Sequence, residues 1–146
     1  MRLILALAVA VCAPVQADII GAHLHSRHES ETHVVTAPDG TTFTQRYNNQ
    51  NRGIYYMHNS GLTAGFYRNS YNRDTFYAGY TWQGPTWGPL RPAVSLTGAT
   101  GYSQVHDVGK IRLQVMPSVQ IFGFLRYAVA PAKGGVLQHI SIEKNL

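Results

Sequence analysis

From Ile19 onward the chain shows no helical periodicity, and β-branched and aromatic runs bounded by Gly, Asn, Asp and Pro recur to the end. Side chains alternate across a strand with a period of two, so each run defines two faces. In Leu62 to Asn69 one face carries Leu62, Ala64 and Phe66, and the other carries Thr63, Gly65, Tyr67 and Asn69. In Thr75 to Trp82 the split is Phe76, Ala78, Tyr80 and Trp82 against Thr75, Tyr77, Gly79 and Thr81. In Ala93 to Tyr102 it is Val94, Leu96, Gly98, Thr100 and Tyr102 against Ala93, Ser95, Thr97, Ala99 and Gly101. Each strand thus pairs a large apolar face with a small or hydroxylated one. That pattern predicts an all-β fold, a small closed antiparallel barrel of about eight strands resembling an outer-membrane barrel, with a soluble barrel or sandwich as the alternative. Alternation leaves open which face points inward.

The predicted strands are Ile19 to Arg27, Thr32 to Thr36, Thr41 to Gln45, Gly53 to His58, Leu62 to Arg68, Thr75 to Trp82, Ala93 to Tyr102, Ile111 to Val115, Ser118 to Phe122, Leu125 to Ala130 and Val136 to Glu143. Pro38-Asp39-Gly40 is a turn signal within a hairpin, Asn59-Ser60-Gly61 separates two strands, and Gly84-Pro85 with Gly88-Pro89 marks a rigid turn. Met116-Pro117 is expected to break one strand into two, and Gly134-Gly135 to introduce the last.

Met1 to Ala17 reads as a signal peptide. Arg2 is the positive start, Leu3 to Val11 the apolar run, and Val15-Gln16-Ala17 supplies the small residues of a cleavage site. The run is too short to span a bilayer as a helix. Residues 18–146 are then a single exported domain, in the outer membrane or the periplasm. Cys12 is the only cysteine. Val11 before it disfavours a lipoprotein signal, so the mature chain offers no thiol for disulfides, catalysis or metal. Loss of Arg2 takes the formal charge from +5 to +4. A basic surface suits outer-membrane lipid or lipopolysaccharide. Nucleic acid fits least, because the chain is exported and its arginines are dispersed from Arg27 to Arg126.

His23 and His25 sit two apart on a predicted strand and would share one face, the spacing of a weak metal pair needing a third ligand from His58, His106 or His139. No named metal motif is present, and packing in a polar interior is the simpler role. Acyl chemistry needs a serine beside a histidine. The candidates are His23, His25 and His139 as base and Ser26, Ser60, Ser70 or Ser141 as nucleophile, with Asp74 or Glu143 to orient the base; none has a nucleophile-elbow pattern. Asn51, Tyr67, Arg68 and Asn69, at strand boundaries rich in Asn, Arg and Tyr, are candidate ligand contacts, although the same residues serve ordinary turns. Trp82 and Trp87 suit a binding platform, a membrane anchor or packing. No redox or nucleotide cofactor is indicated.

The run Tyr47 to Tyr55, followed by Gly61 to Ser70, Tyr77-Ala78-Gly79-Tyr80 and His139-Ile140-Ser141-Ile142-Glu143, resembles a group of small exported proteins of Gram-negative bacteria and their phages and prophages. The resemblance covers most of residues 19–143, with Arg52 where the group's pattern has Pro. It implies an exported β-protein of phage or prophage origin and brings no reaction with it. The expected function is to bind or modify the cell surface. The alternative is a lipid-directed acyltransferase or deacylase using a His/Ser pair in the barrel; the likeness to lipid A palmitoyltransferase and deacylase is one of size, export and alternation only.

Overall fold

The structure is a computed structural model that describes residues 17–102, 111–132 and 135–146. Residues 1–16 of the expected signal peptide, with Cys12, as well as His106 and Gly134, therefore lie outside the described residues. Ten strands follow in order: β1 (Ile19–His28), β2 (Thr32–Thr36), β3 (Thr42–Arg46), β4 (Gly53–Met57), β5 (Leu62–Arg68), β6 (Asp74–Gln83), β7 (Leu90–Ala99), β8 (Arg112–Ile121), β9 (Leu125–Ala132) and β10 (Gly135–Asn145). Eight of them close an antiparallel barrel in the order β1-β10-β9-β8-β7-β6-β5-β4, sealed by the pairing of β1 with β4. The fold is the closed eight-stranded barrel that the alternation predicts, and the sandwich alternative falls away. The remaining two strands, β2 and β3, form the hairpin expected around Pro38-Asp39-Gly40, with Gly40 at φ +84°.

Connections are short at one end of the barrel, where residues 58–61, 84–89 and 122–124 turn the chain. The longest connection, residues 29–52 with the β2–β3 hairpin, lies at the other end together with the turn 69–73. Two sequence expectations are corrected. Met116-Pro117 does not break a strand: β8 runs through it with Val94 paired to Pro117, because the β7 side of the ladder continues from Leu90↔Ile121 to Ala99↔Arg112. His23 and His25 do not share a face. A register shift between them pairs His23 with Ser141 and His25 with Ile140, so the extra residue turns His23 inward and leaves His25 exposed beside an outward isoleucine.

The barrel is inverted relative to a soluble protein. The large apolar faces point outward, with Leu62 62%, Phe76 63%, Trp82 54% and Val115 52% exposed. The small hydroxylated faces point inward and bury Thr63, Thr75, Thr81 and Thr97. A small apolar cluster of Ile19, Tyr55 and Met57, with Tyr77 against it, occupies the interior near the short-turn end. Outward aromatic residues collect at the two rims: Tyr56, Trp82, Trp87, Phe122 and Phe124 at the short-turn end, Phe66 and Phe76 at the loop end. Leu96, Leu113, Ile140 and Ile142 lie between.

Candidate functional site

A narrow lumen can hold large side chains only where the facing wall is small. Gly21 and Gly65 provide that space: a Cβ at Gly21 would overlap the Tyr55 ring, and one at Gly65 would lie 2.6 Å from the Tyr77 ring and 2.7 Å from Tyr55 Cβ. Tyr55, Tyr67 and Tyr77 consequently surround the His23 imidazole, with ring centroids 4.9, 5.1 and 5.7 Å away. His23 Nδ1 shares a hydrogen bond with His139 Nε2 at 2.9 Å, and its Nε2 shares another with the Tyr77 hydroxyl at 2.9 Å. Both ring nitrogens of His23 are thereby engaged within the barrel. His25 is outside it. Among the described residues, no group of three or more His, Cys, Asp or Glu side chains is arranged to hold a metal ion.

Toward the short-turn end, Glu143 anchors a buried network. Arg126 donates from Nε to Oε1 at 2.5 Å and from Nη2 to Oε2 at 3.0 Å, and Gln120 Nε2 donates to Oε2 at 2.6 Å. The Tyr55 hydroxyl also donates to Glu143 and lies 3.3 Å from Ser141 Oγ. Arg126 completes its donations to Ser118 Oγ at 3.0 Å. Hydroxyls extend the polar wall, with Thr63 to Thr81 and Thr81 to Ser95 each 2.9 Å apart. This end is filled by paired groups, which is what buried charge requires.

The loop end carries a serine–histidine pair. His28 Nε2 and Ser70 Oγ are 2.7 Å apart, both residues buried. They meet because the segment after β3 crosses the barrel mouth: Asn48 N–H donates to the Ser70 carbonyl at 2.8 Å and Ser26 N–H to the Asn49 carbonyl at 2.8 Å. The crossing segment brings Tyr47 onto His28 in a stack of 3.9 Å and 10°, and His33 lies on the far face of the same region at 4.6 Å from the Tyr47 ring. Burial, with the Tyr71 phenol nearby, pushes the Tyr47 hydroxyl up to about 12, so it is neutral at physiological pH. His28 Nδ1 has no hydrogen-bond partner among the described residues. The imidazole is therefore held by ring stacking, where a complete triad would use a carboxylate.

The ligand candidates do not converge. Asn51 is buried and ties Ser26 to the Arg68 carbonyl, accepting from Ser26 Oγ and donating from Nδ2 at 2.9 Å. Asn69 is buried and organises its own turn, accepting from Tyr71 and Arg73 N–H at 2.9 and 3.0 Å and donating to Thr75 Oγ1 and the Gly101 carbonyl at 3.0 Å each. Arg68 faces outward and pairs with Asp74 at 2.7 Å. Asn51 and Tyr67 both line the interior cavity, where the Tyr67 hydroxyl meets that of Tyr102 at 2.6 Å. Ser70 has a histidine partner, but it is His28, which sequence reasoning did not select as the base. His23 and His139 instead bond to each other. The signal for Arg126 and Glu143 was present in strand parity, since both fall on inward positions of their strands.

A cavity of about 150 Å³ connects these groups; its lining includes His23, His28, Ser70, Tyr67 and Arg126. No protein-family model matches the chain, and no curated protein is significantly similar to it.

Proposed function

We propose that this protein is an exported β-barrel of the outer membrane, plugged against solute flow, that binds or modifies lipid or lipopolysaccharide at the cell surface without a redox or nucleotide cofactor. The inversion of the barrel carries the reading: its apolar faces are exposed all round, while polar and charged side chains are buried inside. In water that arrangement would leave an apolar surface far beyond what a monomer exposes, whereas in a bilayer it is the expected polarity. Rim aromatics and short turns at one end agree with it. The resemblance to exported phage and prophage proteins supports a role at the host envelope.

Cell fractionation with a heat-modifiability gel tests this. The protein is expected in the outer membrane with a mobility that shifts on heating, and Trp82 and Trp87 fluorescence should be quenched by vesicles of brominated phospholipid. Recovery as a soluble periplasmic protein with unquenched tryptophans overturns it.

A second reading is supported by the buried His28–Ser70 pair. In lipid-directed acyl transfer or deacylation, His28 would take the Ser70 proton as Oγ attacks an ester carbonyl and return it to the departing alcohol. Water, or an acceptor hydroxyl, deprotonated by His28 would then attack acyl-Ser70, free the fatty acid or the new ester, and give the proton back to Oγ. Release of fatty acid from lipid A or phospholipid, lost in both Ser70→Ala and His28→Gln while the heat-dependent gel shift persists, is the result expected. Absence of turnover by the unaltered protein removes the reading.

A further inference from the structure

The barrel wall is not bonded equally at every seam. On one flank β8 is joined to β7 along its whole length, from Leu90↔Ile121 to Ala99↔Arg112. On its own flank β9 is joined to β10 from Ile142↔Leu125 to Gly135↔Ala132. Between β8 and β9, however, the ladder runs only from Ile121↔Leu125 to Ser118↔Ala128. Among the described residues, 114–117 and 129–132 face one another without a backbone pair.

Proline explains why the ladder stops there. The next rungs would set Pro117 against Val129 and Pro131 against Val115, and a proline ring offers no N–H and is tolerated at strand edges rather than inside a ladder. The two strands behave as edges over the loop-end half of their seam. An open edge is normally covered or charged. Here the outward side chains Leu113 and Val115 are exposed and apolar, while Arg112 turns toward the lumen with its guanidinium 5.4 Å from the Tyr102 ring centroid.

The interior cavity reaches the same place. Its lining includes Met116, Ala130 and Leu137, and also Leu113, Val115 and Pro131 from the wall itself. Leu113 and Val115 belong to the outward parity of β8, opposite to Ser118, so a cavity that touches both sets passes through the wall between the strands.

Resting on the membrane reading above, we propose that the β8–β9 slit is a lateral opening through which one acyl chain of a membrane lipid enters the barrel. The occupant follows from the lining. The slit opens onto the apolar outer belt between Leu113, Val115 and Pro131, has Arg112 and Gln114 on its lumen side, and leads to a cavity that holds Tyr67, His28 and Ser70. A hydrocarbon chain reaches it from the bilayer without crossing water, and the ester carbonyl or headgroup is left at the polar end. A water-soluble ligand would have to enter past the stacked His28, Tyr47 and His33 rings at the mouth.

The test uses the full barrel in phosphatidylethanolamine vesicles with a phospholipid bearing a diazirine at the end of one acyl chain, and in parallel with lipid A carrying the same group. Adducts are mapped by mass spectrometry after illumination. Adducts at inward residues Met116 and Ala130, in addition to belt residues such as Leu96 and Phe76, are expected with at least one probe; which probe gives them identifies the lipid source. The disulfide variant Met116→Cys with Ala130→Cys, oxidised, and separately Pro117→Thr with Pro131→Thr, should lose the interior adducts and keep the belt adducts. Belt adducts alone in the unaltered protein overturn the lateral opening while leaving the membrane reading intact. No adducts on the belt overturn the membrane reading and the opening with it.

Discussion

Replacement of Glu143 is the sharpest test of how this interior is held together. Its side chain is fully buried and that of Arg126 only 9% exposed. The carboxylate accepts two bonds from Arg126, at 2.5 and 3.0 Å, one from Gln120 at 2.6 Å and one from Tyr55. In Glu143→Gln the shape is kept, but the charge is gone and an amide donor faces other donors. Arg126 would keep Ser118 Oγ, 3.0 Å away, and the one amide oxygen that stands where two carboxylate oxygens accepted. Breaking one side of a buried ion pair costs roughly 3–5 kcal/mol. At about 1.4 kcal/mol per tenfold, that lowers the folding equilibrium by more than about a hundredfold. It is a large part of the 5–15 kcal/mol that holds a typical domain together. The double variant Arg126→Met with Glu143→Leu removes both charges and should cost less than Glu143→Gln alone, since a well-packed apolar pair restores what a lone buried charge loses. Urea unfolding in lipid vesicles, followed by tryptophan emission and by the heat-dependent gel shift, measures Glu143→Gln, the double variant and its two single components, Arg126→Met and Glu143→Leu. A Glu143→Gln loss below about 1 kcal/mol, or a double variant whose cost is the sum of the single ones, refutes the reasoning.

Two further outcomes follow from local geometry. Gly21→Ala places a methyl against the Tyr55 ring and should destabilise the barrel by about 1–3 kcal/mol in the same unfolding assay, because Tyr55 must leave Glu143 to make room; Gly40→Ala, with nothing within 4 Å of the added carbon, should cost only the strain of its φ of +84°. At the short-turn end the Asp18 carboxylate accepts from the Tyr56 hydroxyl at 2.5 Å and from Asn59 N–H at 2.8 Å, and these bonds, the tyrosine's first, hold its pKa below the ordinary 3.8. A depressed folded pKa gives stability that is present above the unfolded value and lost as pH falls through the folded one. The urea midpoint should therefore fall less between about pH 5 and pH 3 in Asp18→Asn than in the unaltered protein, and equal falls would refute the clamp.

Strand parity was legible in the sequence because it depends only on which residues alternate. The two faces of β5, β6 and β7 are those observed, with Thr63, Tyr77 and Thr97 on the inside. The expected strand overran, however: β7 ends at Ala99, and Tyr102, assigned to the outward face, turns into the lumen against Tyr67. The direction of the faces was not legible. A flipped strand has the same alternation, and the choice is made by what closes inside a narrow barrel: glycines opposite tyrosines, and charges that find partners on other strands. Parity puts Arg126 and Glu143 each on an inward position, but they stand on two strands, and only closure of the barrel pairs them. The register shift after His23 was hidden for a related reason, since a bulge adds a residue without a compositional signature. His28 and Ser70 are 42 positions apart and meet only through the segment that crosses the mouth. Pro117 was visible but misread. Proline weakens a ladder on the flank where its N–H is needed, and here the cost falls on the β9 side while the β7 side stays paired.

That asymmetry bears on what a filled barrel can do. Side chains from facing walls meet in the lumen, as His23 meets His139 and Tyr77, so the interior is a packed core with a cavity in it. The short-turn end is tied by the four bonds to Glu143, and the mouth is covered by the Tyr47 stack. A molecule that reaches Ser70 by either end must displace paired or stacked groups. The wall between β8 and β9 demands less, because no backbone pair has to break there among the described residues. The polar groups of the cavity are thus more accessible from the side than along the axis, and the ligand best suited to such a route is one whose apolar part already lies in the medium around the barrel.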